Sequence, residues 1–283
     1  MFRKEEKNGV VIFTIPYFSE TNLVIHGFTS RIGGVSPTPY HSLNMGFTVD
    51  DDPLLVLENR ERVAGILKFP LEHLVAAKQV HQDNIAIVTH KDKGKGALKY
   101  DDAIECTDAL ITMEKNLPLS TYYADCVPIF ILDPVTPAIG LAHAGWKGTA
   151  FGIGAKTVLK MEKVFGTKIR NLKIAIGPSI GPCCYQVDER IRGLFLKEFP
   201  AALEYFQDSK PGHWQLNLWE ANKGSLTEIG LLEEQIITSR ICTACNTELF
   251  FSHRKEQGLT GRMAALMMLK TEAEMSEGNA PGN

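Results

Sequence analysis

Three side chains of the sequence have the chemistry to share one metal ion. His81 follows the apolar run "AAKQV", Cys126 precedes "VPIFIL", and His143 ends "AIGLAH". A thiolate and two imidazoles suit zinc, and three protein ligands leave a fourth position for water or substrate. The spacing is not that of a zinc finger, so the tertiary structure would have to assemble the site. A buried thiol and two hydrogen-bonded histidines would fit the spacing alone at least as well.

Polar residues near these three could serve as an acid and as an anion site. Asp125 stands next to the thiol, where the chain should be entering the core. Lys147 opens a predicted helix behind His143, and the free N–H groups of a glycine-rich turn at a helix start can bind an anion. The loop 30–46 carries Arg31 and Asn44, which could hold a phosphate. A solvated lysine and an ordinary Ω-loop are the alternatives.

The other cysteines and the C-terminal basic residues are less specific. Cys242 and Cys245 form one Cys-x-x-Cys motif, and a structural zinc needs two more ligands. Cys183 and Cys184 are adjacent in the sequence and therefore awkward as a ligand pair. We expect these four cysteines to lack a matched ligand set and to be dispensable for chemistry. The segment "FFSHRKEQGLTGR" could be an anion-binding wall or a basic surface patch.

The elements that must position these residues alternate irregularly between strand and helix. Apolar runs predict strands at 10–15, 22–29, 74–80, 84–89, 108–112, 127–132, 138–143, 172–177, 235–239 and 248–252. Helical patterns cover 51–68, 150–166, 188–198 and 217–229, and 261–270 could be either type. Without a strict βαβ alternation, we predict an α+β fold: one domain over 1–283, a mixed α/β sandwich of layered mixed sheets flanked by helices. Residues from about 272 to 283 are expected to form a disordered tail.

Composition and charge exclude several classes of protein. The chain of 283 residues has a net charge of −3, which gives no electrostatic basis for binding nucleic acid or an acidic membrane. No apolar stretch is long enough to span a bilayer, and "MFRKEEKNGV" lacks the apolar core of a signal peptide. Six cysteines in a chain of this size do not suggest a secreted disulfide scaffold. We therefore expect a cytoplasmic protein.

Seven motifs in order along the chain resemble the multicopper polyphenol oxidase family, also called laccase-domain or YfiH/YlmD-like proteins. They are "HGFTSRIGG", "SLNMG", "QVHQDN", "ADCVPIF", "AHAGWKG", "IGPSIGPCCYQV" and "FFSHRKEQGLTGR". The resemblance implies a mixed α/β fold similar to cysteine hydrolases of the deamidating-toxin type. It also places the zinc ligands of the family on His81, Cys126 and His143. Lys147 stands where the family more often has an arginine, which weakens the argument for bidentate phosphate recognition there.

The function implied by this resemblance is purine nucleoside chemistry at a zinc site. It comprises phosphorolysis of adenosine, inosine, guanosine or methylthioadenosine to base and ribose 1-phosphate, with adenosine deamination as an added activity. Cys126, His143 and Asp125 would be catalytic, and Arg31, Asn44 and Lys147 would bind phosphate and substrate. The partners would be a nucleoside and phosphate, with no nucleic acid or membrane, and the oligomeric state stays open.

Three other functions fit the same residues. One is a copper-dependent polyphenol oxidase, although such an enzyme needs more clustered histidines than the eight of this chain supply. Another is a cysteine hydrolase with Cys126 as nucleophile and His143 as base. The last is a non-catalytic zinc-binding protein.

Overall fold

A computed structural model describes residues 1–277 of the chain. Its strands are β1 Arg3–Lys7, β2 Val10–Thr14, β3 Val24–Thr29, β4 Val75–Ala76, β5 Ile85–Ile87, β6 Ala109–Thr112, β7 Leu119–Tyr123, β8 Val127–Asp133, β9 Ala138–Ala144, β10 Lys173–Ile176, β11 Gln186–Asp188, β12 Phe206–Lys210, β13 His213–Leu216, β14 Ile236–Thr238 and β15 Met263–Leu269. Its helices are α1 Pro16–Ser19, α2 Pro53–Leu67, α3 Trp146–Ala150, α4 Ile153–Phe165, α5 Glu189–Glu198, α6 Leu218–Glu228 and α7 Glu272–Glu277.

The described strands form two six-stranded mixed sheets and one small sheet. The first has the order β1-β2-β3-β15-β7-β4, and the second has the order β14-β10-β8-β9-β6-β5. The small antiparallel sheet is β11-β13-β12. Most neighbours in the large sheets run antiparallel, but β4 with β7, β5 with β6 and β10 with β14 are parallel. This mixture of pairings confirms the predicted mixed α/β class.

The two large sheets pack face to face, and alternate residues of their central strands enter different cores. In β8, Phe130 and Leu132 join the apolar cluster between the sheets, whereas Ile129 and Ile131 face the helices α4 and α6. In β15, alternate residues face the same inter-sheet cluster and a third cluster beneath α2. This period of two is the normal geometry of a strand that is buried on both faces. The layers are therefore helix, sheet, sheet, helix.

The structure departs from the predicted elements at particular segments. Residues 248–252 are not a strand: Leu249 and Phe250 both donate their main-chain N–H groups to the carbonyl of Asn246 in a turn. Phe250 is fully buried there, so its apolar character reflects tertiary packing and not a strand. The strand β7 was not predicted, because Ser120 and Thr121 interrupt its apolar pattern. Residues 261–270, which fitted either type, contain the strand β15.

The C-terminal segment and the domain assignment need separate statements. Residues 272–277, expected to be disordered, form the helix α7, and the rest of the predicted tail, 278–283, lies outside the described residues. That the chain is one domain stays a prediction. No helix within residues 1–277 combines the length and apolar character needed to cross a bilayer.

Candidate active site

The structure brings His81, Cys126 and His143 together. His81 lies in the turn after β4, Cys126 directly precedes β8, and His143 lies in β9 opposite Pro128 of β8. One ligand atom from each of the three residues lies within 4.8 Å of the others. The His81 and His143 rings are nearly perpendicular, with centroids 4.8 Å apart. His81 is exposed and His143 is buried, so the group has one side toward the core and one toward solvent.

Asp108 holds two of these three residues in place, and the sequence reasoning missed it. One of its carboxylate oxygens accepts the main-chain N–H of His81 at 3.0 Å and lies 2.9 Å from His143 Nδ1. The other accepts the N–H groups of Val80 and Gln82 at 3.2 and 2.8 Å. Because Nδ1 of His143 faces this buried acceptor, Nε2 is the nitrogen left to face Cys126 and a metal. A carboxylate in this position is what commonly orients an imidazole that binds a metal.

The electrostatics of the site favour a thiolate. Burial alone would raise the pKa of Cys126, but the charge of His143 and hydrogen bonds from both imidazoles lower it to about 6. Burial lowers the pKa of His143, yet the nearby thiolate and Asp108 outweigh that effect and raise it to about 9. Asp108 is likewise affected by burial, which its hydrogen bonds overcome, so its pKa lies below the ordinary value. The thiolate is the form of cysteine that binds metals and attacks electrophiles.

The backbone around the trio is shaped for close approach. A Cβ at Gly145 would lie 3.1 Å from His81 Cδ2 and 3.2 Å from the Cys126 Sγ. His81 and Asp125 have positive φ angles of 59° and 84°, a conformation that non-glycine residues seldom adopt. A soft thiolate, two imidazoles and a cradle that excludes a side chain fit a zinc ion. Copper would accept the same donor set, so the ligands do not fix the metal.

The carboxylate of Asp125, which the sequence suggested as a catalytic acid, is engaged in hydrogen bonds with other loops. Its carboxylate accepts hydrogen bonds from Thr243 Oγ1 at 2.6 Å, Ser252 Oγ at 3.0 Å and the main-chain N–H of Arg254 at 2.7 Å. The side chain thus ties the loops around 243 and 252–254 to the turn that precedes β8. Three donors occupy most of the lone-pair positions of this carboxylate, which leaves about one for a substrate proton.

A cavity of ≈ 660 Å³ opens beside the trio. His81, Cys126 and His143 line it together with Asp125. Five aromatic side chains also line it, namely Phe47, Tyr100, Tyr122, Trp146 and Tyr185. The hydroxyl of Tyr122 is buried and has no hydrogen-bond partner among the described residues. The cavity therefore combines flat aromatic walls with a small number of polar and charged side chains, which is typical of a small-molecule site.

The arginines that line this cavity are Arg60, Arg254 and Arg262. The guanidinium of Arg60 is buried and donates to the carbonyls of residues 45, 96 and 97. Arg262 donates from Nη1 to two carbonyls at 2.9 Å, and no partner within residues 1–277 engages its Nε or Nη2. Burial lowers the pKa of Arg262, and the charges of Cys126 and Asp125 oppose that shift. Arg262 is thus the cation best placed to serve an anion in the cavity.

The three residues expected to bind phosphate do not line the cavity. The guanidinium of Arg31 bonds to the carbonyls of residues 41 and 247 and pairs with Glu256 at 2.9 Å. Asn44 is fully buried, and its Oδ1 accepts the main-chain N–H of Arg262 at 2.9 Å. Lys147 lies with its ammonium 5.5 Å from the ring centroid of Trp146. Their roles as phosphate ligands stay predictions. The hydrogen bond from Arg262 N gives Asn44 a structural role, since it helps to position Arg262.

Four other cysteines, which lie far apart in the sequence as two pairs, come together in space. The Sγ atoms of Cys183, Cys184, Cys242 and Cys245 all lie within 4.8 Å of one another. The expectation that they lack a matched ligand set was wrong, because only the tertiary contact between the turns at 177–187 and 241–246 creates the set. Their dispensability for chemistry stays a prediction.

Comparisons with known proteins agree with this architecture. The sequence profile described as multi-copper polyphenol oxidoreductase laccase matches residues 25–270. The purine nucleoside phosphorylase YlmD of Bacillus subtilis is 41% identical over 248 residues, which cover 87% of this chain and 89% of that protein. Two crystal structures, of the Bacillus licheniformis hypothetical protein YfiH and of YlmD from Geobacillus stearothermophilus, both superpose with a TM-score of 0.89. Their identities are 40% and 38%, and each comparison covers 95% of this chain and 99% of the other.

The fold and the site define a mixed α/β protein with a histidine–cysteine group that could hold a metal ion. The chain belongs to the multi-copper polyphenol oxidoreductase laccase family, as its resemblance indicated. The predicted fold, similar to YfiH-like proteins, is confirmed by the two structures.

Proposed function

We propose that this protein is a zinc-site enzyme that cleaves purine nucleosides by phosphorolysis, giving the free base and ribose 1-phosphate. The observation that carries the proposal is one cavity that holds the trio of ligands, a guanidinium with free donors and several aromatic walls. The relatives named purine nucleoside phosphorylase support this reaction class. As part of the proposal, the enzyme acts in the cytoplasm on small molecules and not on nucleic acid.

The aromatic side chains of the cavity provide the binding surface for the base. Stacking of a base on a tyrosine, phenylalanine or tryptophan ring contributes about 1–3 kcal/mol to the free energy of binding. The Arg60 guanidinium carbon lies 4.7 Å from the ring centroid of Tyr122 and 4.1 Å from that of Phe47. That buried cation holds both rings in place.

Arg262 is the residue that we propose to bind the phosphate. Its Nε and Nη2 form two adjacent donors, and a planar fork of this kind matches two phosphate oxygens. Arg254 also lines the cavity, with its guanidinium 5.0 Å from the Tyr185 ring. In the reaction a phosphate oxygen bonds to C1′ of the ribose while the bond from C1′ to the base nitrogen breaks. Aiming the phosphate at C1′ is the main task of these side chains, because correct orientation removes much of the barrier.

The trio would hold the metal through His81, Cys126 and His143. When bound, zinc supplies a Lewis acid beside the reacting groups. The departing base must also gain a proton. His253 lines the cavity, and histidine is the side chain that most often transfers protons in enzymes, whereas Asp125 is tied by three donors. We therefore assign the proton donor to His253 and a positioning role to Asp125.

The decisive experiment measures base release by chromatography with and without inorganic phosphate. Inosine, adenosine, guanosine and methylthioadenosine should each be tried. Release should require phosphate and yield ribose 1-phosphate, or 5-methylthioribose 1-phosphate from methylthioadenosine. Appearance of inosine from adenosine would reveal the added deaminase activity. Arg262→Ala should raise the KM for phosphate by about 10–100-fold, the loss of a charge-assisted pair at about 1.4 kcal/mol per tenfold. Arg62→Ala, on the exposed face of α2, is the matched control that should leave this KM unchanged.

A second candidate function is a cysteine hydrolase. Cys126, His143 and Asp108 have the nucleophile–base–orienter relation of a catalytic triad, with the Asp108 to His143 Nδ1 distance at 2.9 Å. Base release that is equal with and without phosphate would favour this hydrolase. Activity that rises when zinc is removed would favour it too, since the metal would otherwise occupy the nucleophile. Phenol oxidation that depends on added copper would instead support the copper-dependent polyphenol oxidase.

A further inference from the structure

A second group of metal-binding side chains lies outside the cavity lining. The turn at 177–187 contributes Cys183 and Cys184, and the turn at 241–246 contributes Cys242 and Cys245. Cys183 and Cys245 are exposed, so they add little to the apolar core. Four mutually close thiols, two of them at the surface, require a reason other than packing.

The distances between the sulfurs match a tetrahedral metal site. Cys245 Sγ lies 3.5 Å from Cys183 Sγ and 3.4 Å from Cys184 Sγ, and every pair lies within 4.8 Å. Four sulfurs at about 2.3 Å from one zinc would stand roughly 3.8 Å apart, so small shifts would complete the tetrahedron. All four cysteines are free thiols.

A separate contact also points to a bound ion. The main-chain N–H of Gly181 donates to the Sγ of Cys242 at 3.2 Å. Backbone donors to sulfur are the outer-shell partners that stabilise a metal-bound thiolate. Cys242 is buried, so its sulfur has this donor in place of water.

We propose that Cys183, Cys184, Cys242 and Cys245 form a closed tetrathiolate site for zinc that joins the two turns. Four protein ligands leave no position for substrate, so the site is structural and not catalytic. The site is distinct from the trio, because it shares no ligand with His81, Cys126 and His143.

The joined turns hold parts of the active-site wall. Ser179 N donates to the carbonyl of Ile241 at 3.2 Å, and Thr243 N donates to the carbonyl of Ser179 at 3.1 Å. Next to these bonds, Thr243 donates to Asp125, and Tyr185 lines the cavity. A metal at this point would fix two irregular segments whose pairing otherwise rests on a few main-chain bonds. It would therefore keep Tyr185 and the partner of Asp125 in register with the cavity.

The test compares zinc content by elemental analysis in protein purified with a reducing agent. Cys245→Ser, and the pair Cys183→Ser with Cys245→Ser, should each lose about one zinc per chain, the share of one closed site. Cys106→Ser is the control, since Cys106 is exposed and belongs to neither group. The same replacements in a Cys126→Ser background should remove zinc that remains after the trio is disabled. This comparison separates the second site from the proposed function.

Cobalt gives a readout that does not depend on activity. Sulfur-to-cobalt absorption grows with the number of thiolates, so the cobalt spectrum of the full chain should weaken strongly in Cys245→Ser and little in Cys126→Ser. Equal zinc content and equal cobalt spectra in Cys245→Ser and Cys106→Ser would overturn the proposal. So would a disulfide among the four cysteines, found by mass spectrometry of the reduced-purified protein.

Discussion

Replacing Asp108 by asparagine tests how the ligand set is held. Each carboxylate oxygen accepts two hydrogen bonds, one pair from the main chain of residues 80 and 82 and the other from His81 N and His143 Nδ1. Asparagine has nearly the same shape but only one acceptor oxygen. Its NH2 group must therefore face groups that need an acceptor, whichever way the amide is turned.

Both orientations of the new amide weaken the site. If the NH2 group faces His143, it donates to Nδ1 and forces the imidazole proton onto Nε2, the nitrogen that the metal needs. If it faces the turn, the partly buried N–H groups of Val80 and Gln82 lose their acceptor, at about 0.5–1.5 kcal/mol each. Changes in the outer shell usually reduce metal affinity by about 10–100-fold, which corresponds to roughly 1.4–2.7 kcal/mol. We expect a loss of zinc affinity in this range.

The assay is competition for zinc between the protein and a coloured chelator, with phosphorolysis measured in parallel. Asp133→Asn is the matched control. Asp133 is also fully buried at the other end of β8, and its carboxylate accepts the N–H groups of Val135 and Thr136. It should lose stability in urea unfolding without losing zinc affinity. Wild-type zinc affinity in Asp108→Asn would refute the orienting role, and an equal loss in both variants would reduce the effect to general destabilisation.

Three shorter predictions address the trio and the fold. Cys126→Ser should lower zinc content by about one ion per chain, and full retention of zinc would place the site elsewhere. Gly145→Ala should weaken zinc binding, since its methyl would crowd His81, whereas Gly193→Ala, with open space around its Cβ, should not; equal zinc affinity in the two variants would contradict the close fit. Burial lowers the pKa of His26 to about 4. As pH falls from about 6.5 to about 4, the unfolded chain therefore binds a proton at this histidine and the folded chain does not, which lowers the free energy of unfolding. In urea unfolding, the free energy of unfolding of the wild type should fall by about 3 kcal/mol more than that of His26→Gln over this pH range. If the two proteins lost stability equally with falling pH, His26 would not be the cause.

The trio could be predicted from sequence because each member flanks a strongly apolar run. Cys126 directly precedes β8 and His143 lies in β9, and because these two strands pair directly, the convergence of the two residues follows from simple sheet geometry. Asp108 was overlooked because it is the first residue of the predicted strand 108–112 and was interpreted as part of that strand. Its position beside a buried run, like that of Asp125, was the available signal. Its contact with His143 spans 35 residues, which no local pattern encodes.

The anion groups and the cysteines show where the sequence stops being informative. Arg31 stood in a glycine-rich loop that looked suited to phosphate, but its guanidinium is occupied by a carboxylate and two carbonyls. Arg262 looked equally like part of a surface patch, and its place at the cavity depends on long-range contacts such as the hydrogen bond from its main-chain N–H to Asn44 Oδ1. The four-cysteine group depends on a contact between turns about 60 residues apart. Such contacts are products of the tertiary fold.

The strained corners of the site explain why so many polar groups are buried near it. His81 and Asp125 both have positive φ, and each such residue costs about 1–3 kcal/mol. Each corner has a carboxylate that offsets this cost: Asp108 accepts the main-chain N–H of His81, and Asp125 itself accepts three donors from other loops. An unstrained turn would give a more stable chain. The strained turns are therefore explained by the positions that they give to His81 and Cys126, and not by a gain in stability. A site held in this way is organised before a ligand arrives, which is what catalysis by orientation requires.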